Sequence, residues 1–181
     1  MKTQLNNEIE QIIAGDIRDL TADVLEAAPD CFWTMPASTS GKYHPEISLG
    51  EGGLIRHTKA VFKITKMLLE MIDAPADIYS FCLAGALLHD CCKKNDDEEY
   101  TAFDHPLRAA NLVRKIAKES KTVCPEDVDT LAGIIAAHMG RWNTSYREPD
   151  VVLPTPKTPM QRLVHTADYL ASRKDITIAG I

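Results

Sequence analysis

The pattern of hydrophobic and polar positions is helical along most of the chain. Apolar residues recur at helical spacing over residues 4–27, so we predict an amphipathic N-terminal helix, within 1–28, with a break near Gly15. Pro29 ends this segment because proline disrupts a continuing helix. Residues 30–53 contain prolines and glycines with few apolar positions in phase, which predicts a long ordered loop.

The same pattern predicts five further helices and no strand. Asp104-His105-Pro106 is typical of an N-cap followed by proline in the first turn, and Thr158-Pro159 repeats this signal. No run of residues alternates with a period of two, so the predicted fold class is all-α. The predicted helices span 54–71, 76–91, 105 to about 119, 125 to about 138, and 159 to about 172.

Composition excludes several classes of protein. The 181 residues are 45% hydrophobic and 25% charged, which is ordinary for one globular domain with a sizeable core. The net charge of -6 gives no general attraction to nucleic acid or to an anionic membrane. The apolar stretch Phe81–Leu88 is far shorter than the roughly 20 residues that span a bilayer. Five cysteines without a CxxC pair, and no apolar signal segment, favour a cytoplasmic location.

Side chains that commonly bind metals fall at predicted helix ends and inward helix faces, too far apart in sequence for one helix. A compact bundle can bring such positions together, and mixed imidazole and carboxylate ligands suit Mn, Fe, Zn, Co or Ni. The His-Asp pair directly after the apolar string FCLAGALL is costly to bury unless it is paired or binds a metal. Spacing alone leaves a metal site and separate structural histidines both open. The residues are His57, His89, Asp90, His105, His138 and Asp168.

Five strings resemble, in order, the motifs of the HD superfamily of metal-dependent phosphohydrolases. These strings are GGLIRHTKAV, LAGALLHDCCKK, DHPLRAA, IIAAHMG and LVHTADYLASR. The resemblance covers about residues 50–173, which would form the core of a single HD domain over 1–181. It implies an all-α helical bundle with a metal centre between the helices.

The resemblance also implies roles for individual residues. A first metal would be held by His57, His89, Asp90 and Asp168. The positions of His105 and His138 match the extra ligands of the two-metal branch, in which Asp90 would bridge the two ions. The implied cofactor is therefore one or two divalent ions of Mn, Fe, Mg, Co, Ni or Zn.

The implied reaction is hydrolysis of a phosphoester by metal-activated water, with Asp90 orienting the water and Lys93 meeting the phosphate. The chain departs from the family where Cys91-Cys92 replaces the usual Ile-Gly after the HD pair. Some two-metal members have paired histidines where this chain has His138-Met139, which implies a second site that is weaker or is completed by water.

The HD domain is similar to that of bacterial 3′–5′ exoribonucleases, in which histidines precede a GGLxxHT string. This makes His44 a candidate substrate contact, while the role of His165 stays open. Arg141, Lys42 and Arg56 are further candidates for phosphate binding, although each could equally be a solvated surface residue.

The acidic charge and the absence of a preceding nucleic-acid-binding module favour a nucleotide, dinucleotide or short oligonucleotide over long RNA or long double-stranded nucleic acid. HD hydrolases of similar length that cleave diadenosine tetraphosphate are a comparable case. No membrane partner is expected, and an oligomer is left open.

Two other functions remain open at this point. A branch of the superfamily consists of di-iron oxygenases that use the same scaffold, and the six ligand positions would allow that chemistry. A non-catalytic nucleotide-binding module is the third reading, which the retention of every ligand position disfavours.

Overall fold

The computed structural model describes residues 2–38, 41–42 and 44–180. Within these residues it contains seven α-helices and one isolated antiparallel bridge between Thr144 and Val152, which confirms the all-α class. No helix in the described ranges is long and apolar enough to cross a bilayer. The helices are α1 (Asn6–Ile9), α2 (Gly15–Ala27), α3 (Gly53–Met71), α4 (Ala76–Leu88), α5 (His105–Ser120), α6 (Pro125–Ala136) and α7 (Pro159–Ala171).

The predicted N-terminal helix is divided into α1 and α2, and the break falls just before Gly15, as expected. Ala14 is extended at the break, with φ -69° and ψ 115°. Its backbone N–H donates to the hydroxyl oxygen of Ser80 on α4, at 3.0 Å. A tertiary hydrogen bond therefore accompanies the interruption of the helix.

The predicted long loop before α3 contains two short 3-10 turns, Asp30–Trp33 and Glu46–Ser48. Arg56 on α3 forms two hydrogen bonds with the backbone at the second 3-10 turn. Its Nε donates to the carbonyl oxygen of Ile47 at 2.6 Å, and its terminal nitrogen donates to that of Leu49 at 2.9 Å. This candidate phosphate ligand is thus used to hold the loop against α3.

Helix α4 lies at the centre of the bundle and contacts α2, α3, α6 and α7. Gly85 permits the close approach of α6, because a Cβ atom there would lie 2.6 Å from Cγ2 of Ile134. The prediction that α4 continues to Cys91 is wrong: the helix ends at Leu88 and residues 89–92 form a turn. That turn lies where α3, α5, α6 and α7 converge.

The two predicted N-caps differ in the structure. Thr158 forms a capping box with Gln161, in which the Thr158 Oγ1 accepts from the Gln161 N–H and the Gln161 side chain accepts in return. Asp104 occupies the N-cap position of α5, but its side chain makes no capping hydrogen bond. Its carboxylate instead pairs with Nε of Arg108 at 2.7 Å, so the predicted N-cap position and first-turn proline are confirmed but the capping hydrogen bond is not formed.

Candidate metal centre

All six predicted ligand-type side chains meet in one cluster inside the bundle. Five have side chains that are at most 5% exposed, whereas that of Asp168 is 20% exposed. Their backbone positions are fixed by different elements, which explains how residues so distant in sequence converge. They are His57 on α3, His89 and Asp90 in the turn after α4, His105 at the start of α5, His138 after α6, and Asp168 on α7.

The carboxylate of Asp90 lies between imidazoles from three elements. Its Oδ1 is 3.1 Å from Nε2 of His105 and 3.6 Å from Nε2 of His138. Its Oδ2 is 3.5 Å from Nε2 of His89. A carboxylate with imidazoles near both oxygens has the arrangement needed to bridge two metal ions.

Asp168 supplies a second carboxylate on the α3 side of the cluster. Its Oδ1 is 3.0 Å from Nε2 of His57 and 3.7 Å from Nε2 of His89. Two sets of three residues have ligand atoms within 4.8 Å of one another, and Asp90 belongs to both. The sets are His57, His89 and Asp90, and Asp90, His105 and His138.

Three imidazoles are oriented by backbone carbonyl groups. A carbonyl oxygen can only accept, so each Nδ1 carries the hydrogen and each Nε2 presents a lone pair to the cluster. The pairs are His89 Nδ1 with Ala86 O at 2.9 Å, His105 Nδ1 with Ala102 O at 2.8 Å, and His138 Nδ1 with Ile135 O at 2.8 Å.

The donor set fits a divalent cation. The Nε2 atoms of His105 and His138 face each other at 3.3 Å, although both carry lone pairs in this tautomer. Nε2 of His89 and Oδ1 of Asp90 are buried without a hydrogen-bond partner. Facing lone pairs and unpartnered buried acceptors are costly by themselves and favourable around a cation.

The electrostatics favour the metal-binding protonation state of four members of the cluster. Burial lowers the pKa of His138 to about 3 and also lowers the pKa of His89, so both imidazoles are neutral at pH 7. Burial alone would raise the pKa of Asp90, but Lys93 and the neighbouring imidazoles hold it well below its usual value. The pKa of Asp168 is likewise lowered, because the neighbouring imidazoles outweigh its burial. Neutral imidazoles and charged carboxylates are the metal-binding forms.

A pocket of about 540 Å³ opens over the cluster, within the usual size range of small-molecule sites. Lys93 and His44, which the sequence predicts as substrate contacts, both line it. Nζ of Lys93 is 2.6 Å from Oδ2 of Asp90. The His44 ring packs edge-on against His57, with ring centroids 5.0 Å apart, and its Nδ1 is buried without a partner.

Arg141 does not line this pocket. It is exposed, and its guanidinium lies 4.7 Å from the centre of the Trp142 ring. His165, whose role was open, does line the pocket and hydrogen-bonds through Nδ1 to the carbonyl oxygen of His138, at 2.6 Å. His165 therefore supports the turn that carries His138.

Sequence reasoning missed one wall of the pocket. Trp142 and Tyr169 stack with ring centroids 5.5 Å apart and an interplanar angle of 17°, and we call this pair the aromatic wall. Arg173 lies over the Tyr169 ring, with its guanidinium carbon 4.7 Å from the ring centre. All three residues line the pocket. The sequence signal for two of them is that Tyr169 and Arg173 follow Asp168 closely, Tyr169 on α7 and Arg173 just after its end.

Comparison with known proteins gives two matches. The family model described as "HD domain" matches residues 54–173. A curated relative, dihydroneopterin 2′,3′-cyclic phosphate phosphodiesterase of Methanocaldococcus jannaschii, is 34% identical over 100 residues, which cover 50% of this chain and 38% of the relative. The chain thus matches well under half the length of that relative. No solved structure matches the chain significantly.

Proposed function

This chain belongs to the HD domain family of metal-dependent phosphohydrolases, and we therefore propose that it hydrolyses the phosphoester bond of a small phosphorylated compound. The observation that carries this proposal is the position of Asp90, whose buried carboxylate is common to two candidate ligand sets. A shared carboxylate between two ions a few ångströms apart is the arrangement used for phosphoryl transfer. The printed name of the curated relative, a phosphodiesterase, supports the same reaction class.

We assign the metal ligands as the resemblance to the HD superfamily motifs implies. His57, His89, Asp90 and Asp168 would hold the first ion, and Asp90, His105 and His138 would hold the second. Oxygen and nitrogen donors in this ratio suit Mn, Fe, Co, Ni or Zn, with Mg as a further candidate. When bound, such ions acidify an attacking water and stabilise the negative charge of the phosphoryl oxygens.

The chain's own groups would orient the reactants. The Asp90 carboxylate, held in its charged form, would direct the attacking water toward phosphorus. The Lys93 ammonium lines the pocket beside Asp90 and can donate to a phosphoryl oxygen. His44 lines the pocket, and burial lowers its pKa to about 3, so it would meet the substrate as a neutral imidazole.

The substrate we propose is a nucleotide, a dinucleotide or a short oligonucleotide. A pocket of about 540 Å³ accommodates a ligand of nucleotide size. The net charge of -6 gives no general electrostatic attraction for a long polyanion. The relative's name makes a 2′,3′-cyclic phosphate a specific candidate for the scissile group. We also propose a cytoplasmic location, which the five free cysteines favour.

The test is an assay of phosphoester hydrolysis on protein purified without chelator, with each candidate metal supplied in turn. Substrates are 2′,3′-cyclic nucleotides, diadenosine tetraphosphate and short RNA. We expect Asp90→Asn to lower kcat by at least about 1,000-fold, because the bridging carboxylate is altered in charge. Asp97→Asn, an exposed substitution of the same type in the following loop, should leave the rate unchanged.

Far-ultraviolet circular dichroism of Asp90→Asn separates loss of chemistry from loss of folding. Full activity in a folded Asp90→Asn variant would refute the proposal. Oxygen-dependent turnover with a mixed-valent iron signal, and no phosphoester cleavage, would establish the oxygenase alternative instead. Nucleotide binding without any turnover under all metals would establish the binding module.

A further inference from the structure

Arg173 has no carboxylate partner among the described residues, although its side chain is partly buried. No ion pair involves it within the described ranges, and its Nε is buried without a hydrogen-bond partner. One terminal nitrogen makes only a long contact of 3.4 Å to the Ser172 hydroxyl. An arginine with donors left open beside a pocket is suited to bind an anionic group of a ligand.

The aromatic wall holds this guanidinium in place. Arg173 packs on one face of Tyr169, and Trp142 packs near-parallel to the same ring. A guanidinium held over an aromatic ring by a cation–π contact can keep N–H donors for a ligand. The contact with Tyr169 therefore positions the guanidinium beside the pocket before a ligand arrives.

The anion that Arg173 meets need not be the scissile phosphate. The scissile group belongs at the buried end of the pocket, where Lys93 lies 2.6 Å from Asp90. The pocket volume of about 540 Å³ exceeds what one phosphate group fills, so most of a ligand would lie along the remaining walls. Arg173 and the aromatic wall form one of those walls.

We propose that Arg173, positioned by Tyr169 and Trp142, binds a second phosphate of the substrate, remote from the scissile one. This inference rests on the proposed function and narrows it to substrates with at least two phosphoryl groups. Arg173 would thus be a specificity residue, which raises kcat/KM for doubly phosphorylated compounds. Arg141, at the outer face of Trp142, has no part in this contact.

The experiment compares two substrates that share a scissile group. They are adenosine 2′,3′-cyclic phosphate and the same compound carrying a 5′-phosphate. We expect the wild-type protein to prefer the 5′-phosphorylated compound by about tenfold or more in kcat/KM, as one charged hydrogen-bonded contact provides. Arg173→Gln should remove that preference while changing kcat/KM for the simpler substrate by less than about threefold.

Two further variants distinguish binding from a structural effect. Arg173→Lys keeps the positive charge but loses the planar set of guanidinium N–H donors. Its preference for the 5′-phosphorylated substrate should therefore be intermediate. Lys174→Gln removes a neighbouring exposed positive charge and should keep the wild-type preference. A uniform decrease for both substrates in Arg173→Gln, or no change for either, would overturn the proposal.

A binding measurement tests whether Arg173 binds a second phosphate, even if the protein does not catalyse the proposed reaction. Calorimetric titration of the wild-type protein with adenosine 3′,5′-bisphosphate and with adenosine 3′-phosphate needs no turnover. We expect the bisphosphate to bind about tenfold more tightly, and Arg173→Gln to equalise the two affinities. Equal affinities in the wild type would refute the role of Arg173. Absent turnover with the expected binding difference would refute only the proposed hydrolysis.

Discussion

Asp90 belongs to both candidate ligand sets. Each histidine of the cluster belongs to only one of the two sets. His138 lies 3.6 Å from Oδ1 of Asp90, and His57 belongs to the other set. The two halves of the cluster are therefore separable by substitution. Substitutions in one half at a time therefore test how many metal ions the chain binds, without an activity assay.

We expect the wild-type protein to bind two divalent ions per chain, and His57→Gln and His138→Gln to bind one each. Asp90→Asn should bind neither tightly, because it removes the charge shared by both sets. Mass spectrometric metal analysis after dialysis measures the stoichiometry, with Asp97→Asn as the control. Retention of two ions by His138→Gln would show that His138 is not a ligand.

The six ligand-type residues could be predicted because ionisable groups stand out where their neighbours are apolar, as at His89 and Asp90 after FCLAGALL. The aromatic wall could not be predicted in this way. Trp142 lies in the loop after α6 and Tyr169 lies on α7, so their stacking depends on how these elements pack. Arg141 and Arg173 are indistinguishable as isolated arginines, and only tertiary structure places Arg173 at the pocket.

At the scale of elements, periodicity and proline predicted most helices well. The observed α3 (Gly53–Met71) begins one residue before its predicted start. Helix α7 begins at Pro159, directly after its predicted N-cap Thr158. The end of α4 was misplaced because residues 89–92 are buried and carry no helix-stopping residue. The turn there contacts side chains of α3, α5 and α7 and the segment after α6, and a local pattern does not contain these contacts.

The crossing of α4 and α6 gives a prediction about packing. Gly85→Ala would bring a Cβ atom within 2.6 Å of Cγ2 of Ile134, a side chain that is 1% exposed. We expect a loss of about 1–3 kcal/mol in the free energy of unfolding, because a branched buried side chain cannot move aside freely. Urea denaturation measures the change.

Gly15→Ala is the matched control, since the nearest atom to a Cβ there is the flexible end of Arg18 at 3.6 Å. Alanine is favoured over glycine by roughly 0.5–1 kcal/mol in the middle of a helix and by less at the first residue of α2, so this variant should be neutral or slightly stabilised. If both variants gain stability, the bundle has room at the α4–α6 crossing, contrary to the structure.

At the scale of the whole molecule, the buried histidine cluster makes stability depend on pH. The pKa values of His44 and His138 are both lowered to about 3 from 6.5 by burial, with nearby imidazoles adding to the shift. Between pH 6.5 and 3 the unfolded chain therefore binds more protons than the folded chain. The free energy of unfolding must fall as the pH falls through this window.

We expect metal-free protein to lose about 1.4 kcal/mol per pH unit for each fully neutral buried histidine, from about pH 6 downward. Urea denaturation over a series of pH values measures the slope. His138→Gln should reduce the slope of the free energy of unfolding against pH by about 1.4 kcal/mol per pH unit, which corresponds to one proton. This expectation does not depend on the stability of the variant at pH 7. An unchanged slope would show that His138 is protonated in the folded state.

The ligand cluster joins parts of the chain that are made at different times. His57 and Asp168 lie 111 residues apart in sequence, yet their side-chain atoms are 3.0 Å apart. A nascent chain on the ribosome has both members of the His89-Asp90 pair long before it has the second carboxylate. The complete ligand set exists only after α7 has left the exit tunnel and docked on α3 and α4. We therefore expect complete metal binding only after α7 has been synthesised, and a fragment that stops before α7 would lack the carboxylate of Asp168.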